Sequence, residues 1–336
     1  MTLDLPLICA GVIAFGVLMY VVLDGFDLGL GVLFPWMPDE TARDLAIASI
    51  APVWDGNETW LILGGVTLFA AFPVAYAVAL PAFYIPVMLL LFSLIFRGVA
   101  FEFRAKAQAS KRWWDAAFSI GSTLAAFAQG VLLGGLIEGV TVVNGAFAGG
   151  PWDFLSIFSV VSGFGVVGGY ALLGSTWLVR KTEGPTHDWA KRTASLALLV
   201  SLGFIAIVSI YTPLRFPQIA ERWFGEHHWL TLAPVPLATA VVAFSLWREL
   251  RHGADLAPFL YSIALFMLGF LGIAISLWPN LVPPSISIFN AAAPATSQKF
   301  LLLQLAITLP MVLIYTGYAY SVFWGKVSVN DGYSSH

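Results

Sequence analysis

The chain reads as an all-α integral membrane protein of nine transmembrane helices, and three observations carry that reading. The 336 residues are 59% hydrophobic and only 10% charged, where soluble domains carry about 25% charged residues. Apolar runs of about 20 residues, enough to cross a bilayer, recur from end to end. They lack the alternation that a transmembrane barrel would show. The connections between the runs are short, so a single membrane domain is expected over residues 1–336, with no extramembrane domain.

The spacing predicts spans at 7–34, 52–72, 76–103, 113–137, 154–179, 189–211, 229–250, 257–278 and 299–324. The first run has no basic residues before it and is too long for a signal-peptide core, so it is expected to be retained as a span. Gly/Pro-rich stretches at 145–151 and 279–294 read as loops. No internal repeat is visible. Orientation follows from the basic residues. Arg43, Arg104, Lys106, Lys111, Arg112, Arg180, Lys181, Lys191, Arg192, Arg248, Arg251 and Lys326 fall on one set of connections. The opposite set holds only Arg215, Arg222 and Lys299, with Arg97, late in the third span, counted apart. Twelve against three places the N-terminus in the periplasm and the C-terminus in the cytoplasm.

Charged residues within the spans are the informative exceptions. A carboxylate at membrane depth costs about 2.5–3.5 kcal/mol on insertion scales, so it must face protein or water. Asp24 and Asp27 lie late in the first run, Asp55 and Glu58 early in the second, and Arg97 late in the third. With the orientation above, all five share the cytoplasmic half of the membrane. Each acid pair is spaced i, i+3 and occupies one helix face. The expectation is therefore a cytoplasm-facing pocket holding four acids and one arginine. In that pocket at least one carboxyl is protonated or shares a proton, through desolvation and like-charge proximity.

Two readings stand for Asp55 and Glu58, the mouth of a proton path or the solvation of a helix end, where acids are favoured. Asp24 and Asp27 lie about 25 Å along the helix from the start of their span, so end solvation does not account for them. Gly25 and Gly29 beside them allow close helix approach. Arg97 reads most simply as a counter-charge, with a quinone carbonyl or an anionic lipid headgroup as the sharper alternative. Trp54 stands next to Asp55 and shapes the pocket together with Asn57. Trp60 and most other tryptophans near span ends read as an interfacial belt.

Other chemistries are not supported. A net charge of −3 suggests no nucleic-acid partner. The single cysteine, Cys9, rules out an internal disulfide and a zinc site built on several thiolates. Haem ligation in a helix bundle draws on His, Met or Cys inside spans. His187, His227, His228, His252 and His336 fall in loops or at span edges, and Met19, Met88, Met267 and Met311 have no histidine partner. No metal site is expected and no cofactor is expected to be ligated by this chain. No Walker lysine or nucleophile elbow occurs. Proton chemistry is available; a redox centre is not evident.

The motifs Asp24-Gly-Phe-Asp-Leu-Gly29, Pro52-Val-Trp-Asp-Gly-Asn-Glu-Thr-Trp-Leu61 and Phe96-Arg-Gly98, with nine spans, resemble subunit II of the cytochrome bd-type quinol oxidases, the cyanide-insensitive branch included. The resemblance extends over essentially the whole chain. It implies two four-helix bundles plus one peripheral helix, and a heterodimer with a subunit I of similar fold in the bacterial inner membrane. That partner would hold all the haems, two b-type and one d-type or b-type, and the quinol site. A small single-span accessory subunit and a bound quinone or lipid are further possibilities of the family. The complex oxidises quinol, reduces O2 to water and takes its chemical protons from the cytoplasm. By the same resemblance Asp55 belongs to the proton path, Asp27 matters for assembly or haem retention, and Trp60 lies near an oxygen route. Glu58 is glutamine in some relatives. The competing expectation is a stand-alone proton-coupled transporter using the same acids, although such proteins usually show repeats or broken helices near the midplane.

Overall fold

The structure is a computed structural model and describes residues 4–225, 232–253 and 255–328. Among them the order is α1 Leu5–Leu33, α2 Glu40–Ile50, α3 Trp54–Ala71, α4 Pro73–Ala82, α5 Tyr84–Lys106 and α6 Lys111–Glu138. There follow α7 Ile157–Lys181, α8 Gly184–Arg215, α9 Pro217–Phe224, α10 Pro234–His252, α11 Ala257–Leu277 and α12 Ala295–Val322. Two small antiparallel hairpins, Val142–Val143 with Ala146–Phe147 and Asn280–Val282 with Ile286–Ser287, occupy the loops before α7 and α12.

Seven described helices are long and apolar enough to cross a membrane: α1, α5, α6, α7, α8, α11 and α12. They fall on seven of the nine expected stretches. The other two hold α3 and α10, which are less apolar. Asp55, Asn57 and Glu58 occupy the first turns of α3, and Arg248, Glu249 and Arg251 end α10. The expected start of the seventh stretch at Trp229 lies outside the described residues, as do His227, His228 and His336.

Two connections differ from the sequence expectation. The stretch expected as one span at 76–103 is interrupted at Phe83 (φ −112°, ψ 22°). Pro81 and Pro86 on either side each remove a backbone donor and crowd the preceding turn, which divides α4 from α5. The first connection is not a plain loop either. Asp39 caps α2 by accepting from the Ala42 amide at 2.8 Å. That helix then buries Leu45, Ala46, Ile47 and Ile50.

α1 is the post of the bundle, packed against α3, α6 and α7. Every residue from Asp24 to Phe34 is buried, as expected of a helix surrounded on all sides. The α1–α7 crossing is close because it is made of glycines. A Cβ on Gly29 would stand 1.8 Å from the Tyr170 carbonyl oxygen, and one on Gly174 would stand 2.6 Å from Gly29. Gly121 similarly lets α6 approach the backbone of Ser93 and Arg97 on α5. These contacts fix where Asp24, Asp27 and Arg97 meet.

Two ionic clusters tie the same end of the bundle. Arg104 on α5 reaches Asp44 of α2 at 2.8 Å and Asp115 of α6 at 2.5 Å, and Lys111 pairs with Glu40. The C-terminal end of α12 is held by α7. Lys181 Nζ donates to the carbonyls of Phe323 and Gly325 at 2.5 and 2.8 Å, and Arg180 donates to that of Trp324 at 2.9 Å. Lys326 then pairs with Asp255 at 2.6 Å.

Candidate functional site

The candidate site is a buried polar cluster where α1, α3, α5 and α12 converge. Asp24 and Asp27 are wholly buried on adjacent turns of α1. From α5, Arg97 reaches across with Nη1 2.6 Å from Asp24 Oδ1 and Nη2 2.9 Å from Glu58 Oε2. Among the described residues Asp27 has no arginine partner; its Oδ2 accepts from the Asn57 amide nitrogen at 2.8 Å. The same nitrogen donates to the Leu23 carbonyl at 3.2 Å, and Asn57 Oδ1 accepts from the Tyr320 hydroxyl at 2.9 Å.

One guanidinium thus bonds two carboxyl groups in a water-poor setting, with a third on the next turn of α1. Charge-assisted bonds of this length are the strong kind, about twice a neutral one. The Arg97 guanidinium lies 5.8 Å from the Trp54 ring centre, within cation–π range. Trp54 in turn packs on Gly98 and Phe101. Glu58 is the cluster's partly open carboxyl, with 27% of its side chain accessible.

Sequence reasoning placed four acids in this pocket, and the structure brings three of them together. Asp55 is exposed and points outward from the first turn of α3. The i, i+3 spacing puts it near Glu58 along the helix, but α3 packs chiefly against α1 and α12, and Glu58, not Asp55, reaches Arg97. Trp60 also departs from the belt reading: it is 1% exposed and meets Phe15 edge-on at 5.7 Å. Arg97 follows the counter-charge reading, since carboxylates occupy two of its nitrogens. Trp36, Trp113, Trp152, Trp278 and Trp324 are exposed.

Several participants were missed. Tyr320 near the end of α12 completes the Asn57 bonds. A second chain runs deeper: Tyr170 OH donates to Gln129 Oε1 at 2.5 Å, and Gln129 Nε2 donates to Tyr20 OH at 3.0 Å. Gln129 was detectable as an amide inside an otherwise apolar run. Tyr320 was not, because Tyr315, Tyr318 and Tyr320 look alike in sequence and only the packing singles out one.

A sequence profile described as cytochrome bd terminal oxidase subunit II matches residues 5–323. The chain belongs to this family. It is 29% identical to cytochrome bd-I ubiquinol oxidase subunit 2 of Escherichia coli (strain K12), with 94% of each chain covered. It is also 29% identical to cytochrome bd ubiquinol oxidase subunit 2 of Bacillus subtilis (strain 168), covering 91% of this chain and 92% of that one. Its fold matches a chain of the bd oxidase from Geobacillus thermodenitrificans with a TM-score of 0.77 at 16% identity, covering 96% and 99%. Membership makes the chain one subunit of a terminal oxidase, an oxidoreductase complex, with a subunit I as partner. With seven apolar helices among the described residues and bacterial relatives, it is a multi-pass protein of the bacterial inner membrane.

Family membership implies haems in the partner subunit. Among the described residues His187 is engaged by Asp255 at 3.1 Å and His252 is exposed. Met267 and Met311 are exposed, and Met19 and Met88 are half-buried. Three His, Cys, Asp or Glu side chains arranged to hold a metal do not occur among the described residues.

Proposed function

We propose that this chain is the haem-free subunit II of a bd-type quinol oxidase and supplies the complex with a path for protons from the cytoplasm. Electrons pass from quinol to O2 through the haems of subunit I, and the chain described here stabilises that partner. A small accessory subunit, a bound quinone or lipid, and the haem types belong to the same reading. So does a single domain of nine spans, built as two four-helix bundles and one peripheral helix. In it the N-terminus is periplasmic, and α3 and α10 are the two less apolar spans.

The observation that carries the proposal is the buried Asp24–Arg97–Glu58 and Asp27–Asn57 network. Membranes tolerate such a group of ionisable residues where it serves a function. Its position supports cytoplasmic uptake, because it lies toward the end of the bundle that carries Arg104, Lys111, Lys181 and Lys326. In this path Glu58 is the partly wet rim, Asp24 and Asp27 are the interior carboxyls, and Arg97 keeps them from repelling one another. Asp55 gathers protons at the outward surface of α3, and Trp54 shields the arginine. Trp60 lines an apolar route for oxygen between α1 and α3.

The test is oxygen consumption by the purified complex with quinol in excess. Asp55→Asn and Asp27→Asn should each slow turnover, Asp55→Asn with a normal haem spectrum and Asp27→Asn with reduced haem content. Native turnover per haem in both variants would remove the proton-path assignment.

A further inference from the structure

A cleft between the start of α3 and the end of α12 is bordered by Pro52, Gly56, Asn57, Tyr315, Thr316 and Tyr320. It offers about 20 Å³ to a water-sized occupant. A water needs at least about 10–15 Å³ on that measure, so the cleft has room for one. Its floor is the Tyr320–Asn57 pair, and Asp27 lies directly behind.

The bonding of Asn57 makes this floor a closed one. Both directions of its amide nitrogen are taken, by Asp27 and by the Leu23 carbonyl, and its oxygen takes the Tyr320 hydroxyl. The reverse amide orientation would aim oxygen at the Leu23 carbonyl, which can only accept, so the orientation is fixed by its partners. A carboxamide is a poor proton relay, and while the pair is closed it blocks the cleft from Asp27. Tyr320 is set in place from behind by the Trp177 ring and by the Lys181 and Arg180 bonds one turn further along. The Tyr320 hydroxyl joins the floor by one hydrogen bond where Asn57 makes three, so motion of the tyrosine side chain is the economical way to open it.

We propose that Tyr320 and Asn57 form a gate through which cytoplasmic water reaches the Asp27 carboxyl. The gate rests on the proton-path reading above and names its inner door. Asp27 is the carboxyl served, because Asp24 and Glu58 are the ones bound to Arg97, and Tyr320 is the titratable group that α12 presents to it. When the gate opens, exchange breaks the carboxyl O–H bond and forms one to water. The reverse step restores both, and no other reactant is consumed. Tyr320 and Asn57 are positioning residues: they control access and hold no transferred proton themselves.

The readout is the rate at which the Asp27 carboxyl exchanges hydrogen for deuterium in the assembled complex, followed by infrared spectroscopy. The band is assigned by its loss in Asp27→Asn. Tyr320→Phe removes the hydroxyl bond and keeps the ring, so exchange should accelerate, by up to about tenfold for one hydrogen bond. Gly56→Val fills the cleft, since even a Cβ there comes within 3.8 Å of the Tyr315 ring, and exchange should slow. Opposite shifts in the two variants establish the gate. Exchange at the native rate in both, or slower exchange in Tyr320→Phe, overturns it. The failures separate cleanly: native turnover per haem in both Asp55→Asn and Asp27→Asn defeats the proton path, whereas slowed turnover per haem there with unshifted exchange in the gate variants defeats the gate alone.

Discussion

Replacing Arg97 by methionine leaves two carboxyls without their cation, and the structure sets the size of the effect. Asp24 is fully buried, and its charged hydrogen-bond partner among the described residues is Arg97 at 2.6 Å. Removing one side of a buried pair costs about 3–5 kcal/mol, because the remaining charge is stranded. Glu58 adds little, since 27% of its side chain is accessible and water screens it. At about 1.4 kcal/mol per factor of ten, the loss is about a hundredfold to several thousandfold in the equilibrium favouring the assembled state. The assay is the fraction of haem-bearing complex that survives a graded heat step, comparing native, Arg97→Met and Arg97→Met with Asp24→Asn. The single variant should lose haem at clearly lower temperature. Adding Asp24→Asn should restore more than half of the difference, because a neutral amide replaces the stranded charge. A double variant no more stable than the single one would refute the stranded-charge argument.

Other consequences follow from the packing and the latch. Gly29→Ala should prevent assembly or cost more than the about 1–3 kcal/mol typical of overpacking, since its Cβ would stand 1.8 Å from a backbone oxygen; Gly65→Ala, with nothing within 4 Å, should be silent in the same heat assay. The Lys326–Asp255 pair should hold the end of α12 across neutral pH and release it at both extremes, as read by proteolysis of the C-terminal segment. Burial alone would raise the Asp255 carboxyl, but hydrogen bonds from Lys326 and His187 outweigh it and hold the group below 3.8. Its contribution is present above the ordinary aspartate value and is lost as pH falls through the lower folded value. The Asp255 bond raises Lys326 above 10.5, so that contribution is complete below 10.5 and is lost as pH rises through the folded value. Protection that peaks in acid would contradict this latch.

The sequence by itself determined the class of the protein and the inventory of its unusual residues. Burying a charge in a membrane is costly enough that Asp24, Asp27, Glu58 and Arg97 stand out from an apolar chain by residue type and position alone. Long apolar runs made most of the helices legible for the same reason, since the backbone has no alternative hydrogen-bond partner in lipid. Tertiary structure decided which of those residues meet. Helical spacing could not tell the buried side of α3 from its outward side, so Asp55 and Glu58 are equivalent until α1 and α12 pack on α3 and Arg97 reaches one of them. Nor could sequence separate Pro81 and Pro86 as a helix break from prolines carried within a span. The Tyr320–Asn57–Asp27 contact joins α12 to α3 and α1 across most of the chain. A bond between residues so far apart is set by the crossing of helices, and no local pattern encodes it.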